Sequence, residues 1–245
     1  MDSKKTSASE AKCCEECSVY PCLKAERIQN PNRLWAFPFF GFFVKVLILI
    51  PVFLELAFLN LILWFASLIN SFFVLFQGKY WDEAYKLNLG LMRLSIKLTF
   101  FLSGLTDRYP GFSFEINDNF SVEIEKPKNP NRGFAVPFFG GLARFVLLIP
   151  FMIWIEVLRN IWIIVMVVSS IPVLFSSKYP QSTFELIRDY TRITLAATAY
   201  MTGLSDKYPS FSISMENKNI KIAFIIMGIL FFLLTFLPNL NSSSN

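Results

Sequence analysis

The chain has 245 residues and a net charge of +5; 54% of it is hydrophobic and 17% aromatic, 28 residues being Phe, while only 17% is charged. A soluble domain carries about 25% charged residues, so the composition excludes an ordinary water-soluble globule and points to lipid as part of the solvent. The cations gather at the ends of apolar segments instead of forming a stripe interleaved with exposed aromatics, which argues against a nucleic-acid binder.

Residues 1–28 are polar, lack the apolar core of a signal peptide and read as a tail. The tail holds every sulfur nucleophile in the chain: Cys13, Cys14, Cys17 and Cys22. Four thiolates within ten residues could wrap zinc or an iron–sulfur cluster. Free thiols in a reducing compartment, where disulfides do not persist, or lipidated cysteines are the alternatives. No histidine is present to complete a mixed site or to act as general base. No phosphate loop or nucleophile elbow appears, so the reading is of a noncatalytic protein.

From residue 29 the chain repeats itself. Asn30 to Ile116 overlays Asn129 to Met215 at a constant offset of 99 residues, with 30 identities in 87 positions and no gap. A repeat of that size is a complete structural unit. It divides the chain into a first repeat at 29–127, a second at 128–219, a C-terminal apolar segment at 220–240 and a polar end at 241–245.

Each repeat opens with NPNR and PFFG. Phe37 to Ile50 is apolar but broken by Pro38, Gly41 and Lys45, and reads as an interfacial helix. Pro51 then starts a 26-residue stretch to Phe76 whose strongly polar residues are Glu55, Asn60 and Asn70; Pro150 to Phe175 repeats it with Glu156, Arg159 and Asn160. Such a stretch is roughly 39 Å long as a helix, enough to cross a ~30 Å hydrocarbon layer. Glu156, Arg159 and Asn160 share one helix face, where Arg159 most simply neutralises Glu156. Lys79–Tyr80 and Lys178–Tyr179 follow these helices and read as headgroup anchors.

The next helix of each repeat decides the topology. Lys86, Arg93 and Lys97 occupy a narrow sector opposite Leu87, Leu91, Leu94, Leu98, Leu102 and Leu105, as on an interfacial helix. A second stripe, Ser95, Thr99 and Ser103 before Gly104, matched by Thr194, Thr198 and Thr202 before Gly203, suits close helix packing in lipid. The stripe favours a crossing helix, with Arg93 and Arg192 facing the bundle interior or a headgroup.

The element GL[TS]D[RK]YP.FS closes each repeat: Gly stops the helix, Asp107 or Asp206 marks the interface, Tyr anchors, and Pro forces an extended strand. Phe112 to Ile116 and Phe120 to Ile124 then alternate around Asn117–Asn119 as a β-hairpin, repeated more weakly from Phe211 into Ile220. The last segment, Ile222 to Leu240, is uncharged.

The strings KYP, the amphipathic stretch Phe184 to Leu204 and [TS]D[RK]YP.FS resemble a bacterial family known as domain of unknown function 4389. The second copy fits better, because Trp81 stands where that pattern has Pro180. The resemblance spans most of 30–215 and implies a multi-pass membrane protein, without an activity, cofactor or catalytic residue.

The resulting expectation is an all-α membrane protein with minor β: a tandem parallel repeat of interfacial helix, transmembrane helix, amphipathic or transmembrane helix and β-hairpin, plus a C-terminal transmembrane helix, about five spans in all. With two crossings per repeat, the cationic tail and hairpins fall on one side and Lys79 and Lys178 on the other, which places the N-terminus in the cytoplasm of a cell membrane, the inner membrane if the host is bacterial. The expected partners are membrane lipids and copies of the chain or a larger membrane complex. The expected role is a scaffold or accessory subunit, with a solute or lipid carrier using a cavity between the repeats as the alternative.

Overall fold

The computed structural model describes residues 21–27, 40–116, 120–176 and 178–242. Their order is β1 (Cys22–Ala25), α1 (Phe40–Gln77), α2 (Asp82–Ser103), β2 (Phe120–Glu123), a 3₁₀ turn (Arg132–Ala135), α3 (Phe139–Ser176), α4 (Gln181–Met201) and α5 (Lys218–Ser242).

The interfacial helix and the apolar helix expected as separate elements are one. α1 and α3 each run for 38 residues, with Pro51 and Pro150 inside them. A proline in a helix interior loses one backbone bond and clashes with the preceding turn. Here packing of the flanking residues, Leu49 and Val52 on α2 and Leu148 and Phe151 on α4, keeps the helix going through it. Glycine in PFFG has a tight reason in the second repeat: a Cβ on Gly140 would lie 2.0 Å from the Phe134 carbonyl oxygen. The 3₁₀ turn therefore folds back onto the start of α3, and Phe138 makes the corner at φ 65°.

Three helices among the described residues are long and apolar enough to cross a membrane: Gly41–Gln77, Phe139–Ser176 and Lys218–Thr235. α2 and α4 are not among them, so five spans do not follow. Both are covered by protein instead. In α4, Phe184, Glu185, Leu186, Ile187, Asp189, Thr191 and Arg192 are all buried, which is the burial of a core helix, with its polar residues paired inside.

α1 packs along α2, and α3 along α4. Leu49 and Val52 of α1 form one cluster with Leu94, Leu98 and Phe101 of α2. Leu148, Phe151, Leu158 and Ile161 of α3 form another with Leu186 and Ile193 of α4. A third cluster joins the repeats through Met92, Ile96 and Phe100 on one side and Phe184, Ile187 and Ala199 on the other.

The predicted hairpin does not form. β2 pairs antiparallel with β1, ahead of the first repeat, instead of with 112–116; the turn expected at 117–119 lies outside the described residues. Leu23 faces Val122, the residue 99 positions later, and Cys22–Glu123 and Lys24–Ser121 flank that pair symmetrically. In the second repeat, 211–215 carries no strand, because Asn217 caps a helix: its side chain accepts from the amides of Asn219 and Ile220 at 3.1 and 3.3 Å. α5 then packs on α3, with Gly228 against Ile161 and Val157.

Candidate functional site

The two GL[TS]D elements form the polar joints of the molecule. Gly104 and Gly203 end α2 and α4 with φ 74° and 77°, the left-handed conformation a side chain would strain. The hydroxyls of Thr106 and Ser205 then accept from the amides of Arg108 and Lys207, at 3.2 and 3.1 Å. This turn aims each aspartate back at the start of the long helix. Arg144 of α3 meets Asp206 at 2.6 Å and donates to the carbonyls of Tyr200 and Ser205. Its guanidinium stacks over the rings of Phe134 and Tyr200 at 5.1 and 5.2 Å. Asp206 also accepts from the Asn131 amide at 2.9 Å. In the first repeat Lys45, 99 residues before Arg144, is buried over the Phe101 ring at 5.4 Å and is attracted by Asp107.

Sequence reasoning read Lys45 only as an interruption and passed over Arg144. The signal was present: both are cations five residues after the second phenylalanine of PFFG, at the repeat offset, each matched by the equally spaced Asp107 or Asp206.

Tyr80 and Tyr179, expected as headgroup anchors, are both buried, each 3% exposed. Tyr80 donates to the Thr202 carbonyl at 3.1 Å and Tyr179 to the Ser103 carbonyl at 2.9 Å, a reciprocal pair between the repeats. Each phenol closes the end of the other repeat's second helix, where a carbonyl lacks an intrahelical partner. Burial pushes the Tyr80 phenol up to about 12, and Tyr179 is raised by the same cause.

Beside Arg144 a cleft of about 530 Å³ opens between the C-terminal half of α1 and the start of α3. Arg144, Asn131 and Thr202 supply polar groups, and Trp64, Phe138 and Phe145 belong to its apolar wall. The lining is thus largely apolar with one polar end.

Neither Arg93 nor Arg192 lines this cleft. Arg192 is buried, donates to the Ser212 carbonyl at 2.9 Å and lies 3.9 Å from Asp189. Asp189, 1% exposed, accepts from the Ser214 amide, and Lys97 donates to the Ser113 carbonyl at 2.6 Å. These charges hold the extended segments after α2 and α4 against their helices. The Nε atoms of both arginines are buried without a hydrogen-bond partner.

The hydroxyl stripe turns inward on its own helices. Ser95, Thr99 and Ser103 donate to Leu91, Ser95 and Thr99 carbonyls, and Thr194, Thr198 and Thr202 to those of Tyr190, Thr194 and Thr198. Ser103 in addition accepts from the Trp162 indole at 2.8 Å, joining α2 to α3, whereas Thr198 is exposed. Glu156 and Arg159 form the expected ion pair at 2.5 Å on the surface of α3.

Cys22 is buried in β1 and is disulfide-bonded. Cys22 is therefore not a free thiol in this state. Cys13, Cys14 and Cys17 lie outside the described residues. No group of three metal-ligating side chains occurs among the described residues.

The comparison with known families bears on the second of these joints. Residues 141–212 match the family described as Domain of unknown function (DUF4389). The match starts just after the PFFG of the second repeat and ends at the serine of its FS, so it contains Arg144, Tyr179, Arg192 and Asp206 together. The matched stretch thus holds most of one long helix, one core helix and the joint between them. No curated protein matches the chain, and no solved structure does.

Proposed function

We propose that this chain is a noncatalytic membrane protein, a scaffold or accessory subunit built from two tandem DUF4389-like units around a pseudo-two-fold axis. The observation that carries the reading is how its buried charges are used. Arg144, Arg192, Lys97 and Asp189 all tie backbone groups at the ends of helices or extended segments, which is structural work. The 99-residue symmetry of the Leu23–Val122 pair and of the two tyrosine bonds supports the axis. The broad apolar faces of α1, α3 and α5 are what such a protein offers to lipid and to other membrane chains. The cation-rich ends of the repeats favour a cytoplasmic N-terminus.

A second reading, lipid handling, draws on the cleft beside Arg144, whose one polar end and aromatic wall fit an amphiphile with an anionic head. Purification in mild detergent followed by native mass spectrometry separates the two. The scaffold reading expects a stoichiometric protein partner or a defined oligomer of the chain. A monomer that carries one tightly held phospholipid, and no protein, would overturn it in favour of the second.

A further inference from the structure

We infer that α1 to α4 enter a bilayer from one side and lie in its plane, the apolar faces of α1 and α3 being buried among the acyl chains of a single leaflet, so that none of these four helices crosses. This rests on the reading that the chain is membrane-embedded and goes on to fix how.

The directions of the helices come first. Lys45, early in α1, lies over Phe101 near the end of α2, while Asn70, late in α1, accepts from the Trp81 amide at the start of α2 at 2.8 Å. α1 and α2 are therefore antiparallel. Arg144 on Tyr200 and Ser169 beside Tyr179 give α3 and α4 the same relation. The reciprocal bonds Tyr80 to Thr202 and Tyr179 to Ser103 make α2 and α4 antiparallel to each other. Finally, the Arg132 guanidinium sits so close over Gly78 that a Cβ there would lie 2.5 Å from it. The start of α3 is thus beside the end of α1.

Parity then forbids crossing. If α1 crossed, α2 would return to the first side and leave Ser103 there, while α3 would begin on the far side, next to Gly78. Residues 104–138 would have to traverse the hydrocarbon. They include Asp107, Arg108, Glu115, Glu123, Glu125, Lys126, Lys128 and Arg132. Each such charge costs about 2.5–3.5 kcal/mol at the centre of a bilayer on insertion scales. Among its described residues the connection holds no membrane-length helix; β2 has its ladder with β1, but the extended segment before it has none, and an unsatisfied backbone group there costs several kcal/mol more. Helices lying in the plane need no such passage, and the axis relating the repeats, perpendicular to α2 and α4, then coincides with the membrane normal.

Length agrees. Exposed apolar side chains run along α1 from Phe42 to Phe76. That stripe is about 52 Å long at 1.5 Å per residue. Fitting it into a ~30 Å layer would take a tilt of roughly 55°, outside the ~0–40° range of spanning helices. α3 presents the matching stripe, with Phe139, Leu142, Val168 and Phe175 all more than half exposed, Phe175 at 79%.

Four exposed or partly exposed lysines report the arrangement without any substitution: Lys79, Lys126, Lys178 and Lys207. Sealed right-side-out and inside-out vesicles from cells making the full chain are treated with a membrane-impermeant amine reagent, and modified peptides are identified by mass spectrometry. The in-plane arrangement expects all four to be modified in the same vesicle orientation and protected in the other. Lys79, Lys126, which pairs with Asp82, and Lys207 lie at one end of the helix pairs and Lys178 at the other, so modification of Lys178 from the side opposite the other three would overturn it, as would any other two-sided division of the four. Alkaline carbonate extraction of the same vesicles keeps the two readings apart: release of the chain into the supernatant defeats the membrane reading itself, whereas two-sided labelling of a retained chain defeats only the in-plane one.

Discussion

Tyr80 shows how much a single buried phenol can report. A hydrogen bond to a helix-end carbonyl contributes about 0.5–1.5 kcal/mol net, and burial adds a pH dependence. The phenol holds its proton up to about 12 in the folded chain, against about 10 when unfolded. Its contribution is therefore complete below pH 10 and is lost as the pH rises from there toward 12, by about 3 kcal/mol. Unfolding measured in detergent at pH 9 and pH 11 should show the fall. Tyr80→Phe should reduce it, and adding Tyr179→Phe should reduce it further. An identical fall in the double variant would mean that neither phenol titrates with unfolding. The same residue marks a limit of sequence reading: a tyrosine after a lysine at the end of an apolar helix is the pattern of an interfacial anchor, and only the position of the other repeat, 122 residues away at Thr202, turns it into a buried clasp.

At the scale of elements, what was legible was what local chemistry decides. The apolar runs became the long helices α1, α3 and α5, and Gly104 and Gly203 stop their helices as their spacing indicated. What was not legible depended on partners distant in the chain. The alternation at Phe120 to Glu123 correctly indicated a strand, but not that Cys22–Ala25 would take the place beside it. Pro51 looked like a helix start because proline is favoured there, whereas the turn before it is held in helix by packing of Leu49 with Leu94 and Phe101. The junction of α5 with α3 offers a test at this scale. A Cβ on Gly228 would lie 2.4 Å from one Ile161 carbon and 3.0 Å from Val157, so Gly228→Leu should force the helices apart, with a cost of about 1–3 kcal/mol typical of overpacking. Limited proteolysis near residue 217 should then speed up while the 40–116 region keeps its resistance; equal rates in the two proteins would show that α5 does not depend on this contact.

For the whole molecule, the organising fact is that polar and apolar layers are separated by helix, with charge inside and hydrocarbon outside. α2 and α4 carry Lys97, Asp189 and Arg192 in the interior, and the exposed surface of α1 and α3 is mostly apolar, with many Phe, Leu and Ile side chains. This inversion of the soluble pattern suits surroundings that are apolar on at least one face, and it explains why the amphipathic second helices, judged from their own sequence, read as membrane helices: their apolar sectors meet protein.

The strand pair at the axis carries one more implication, for how the two copies can change over time. Leu23 and Val122 are buried cross-strand neighbours, so a change of volume at one is felt at the other. Val122→Leu alone should lower the thermal midpoint in detergent through crowding, Leu23→Val alone should lower it through a void, and the two together, which merely exchange the paired side chains, should come within about 0.5 kcal/mol of the starting protein. Simple addition of the two losses would show that the two sites drift independently.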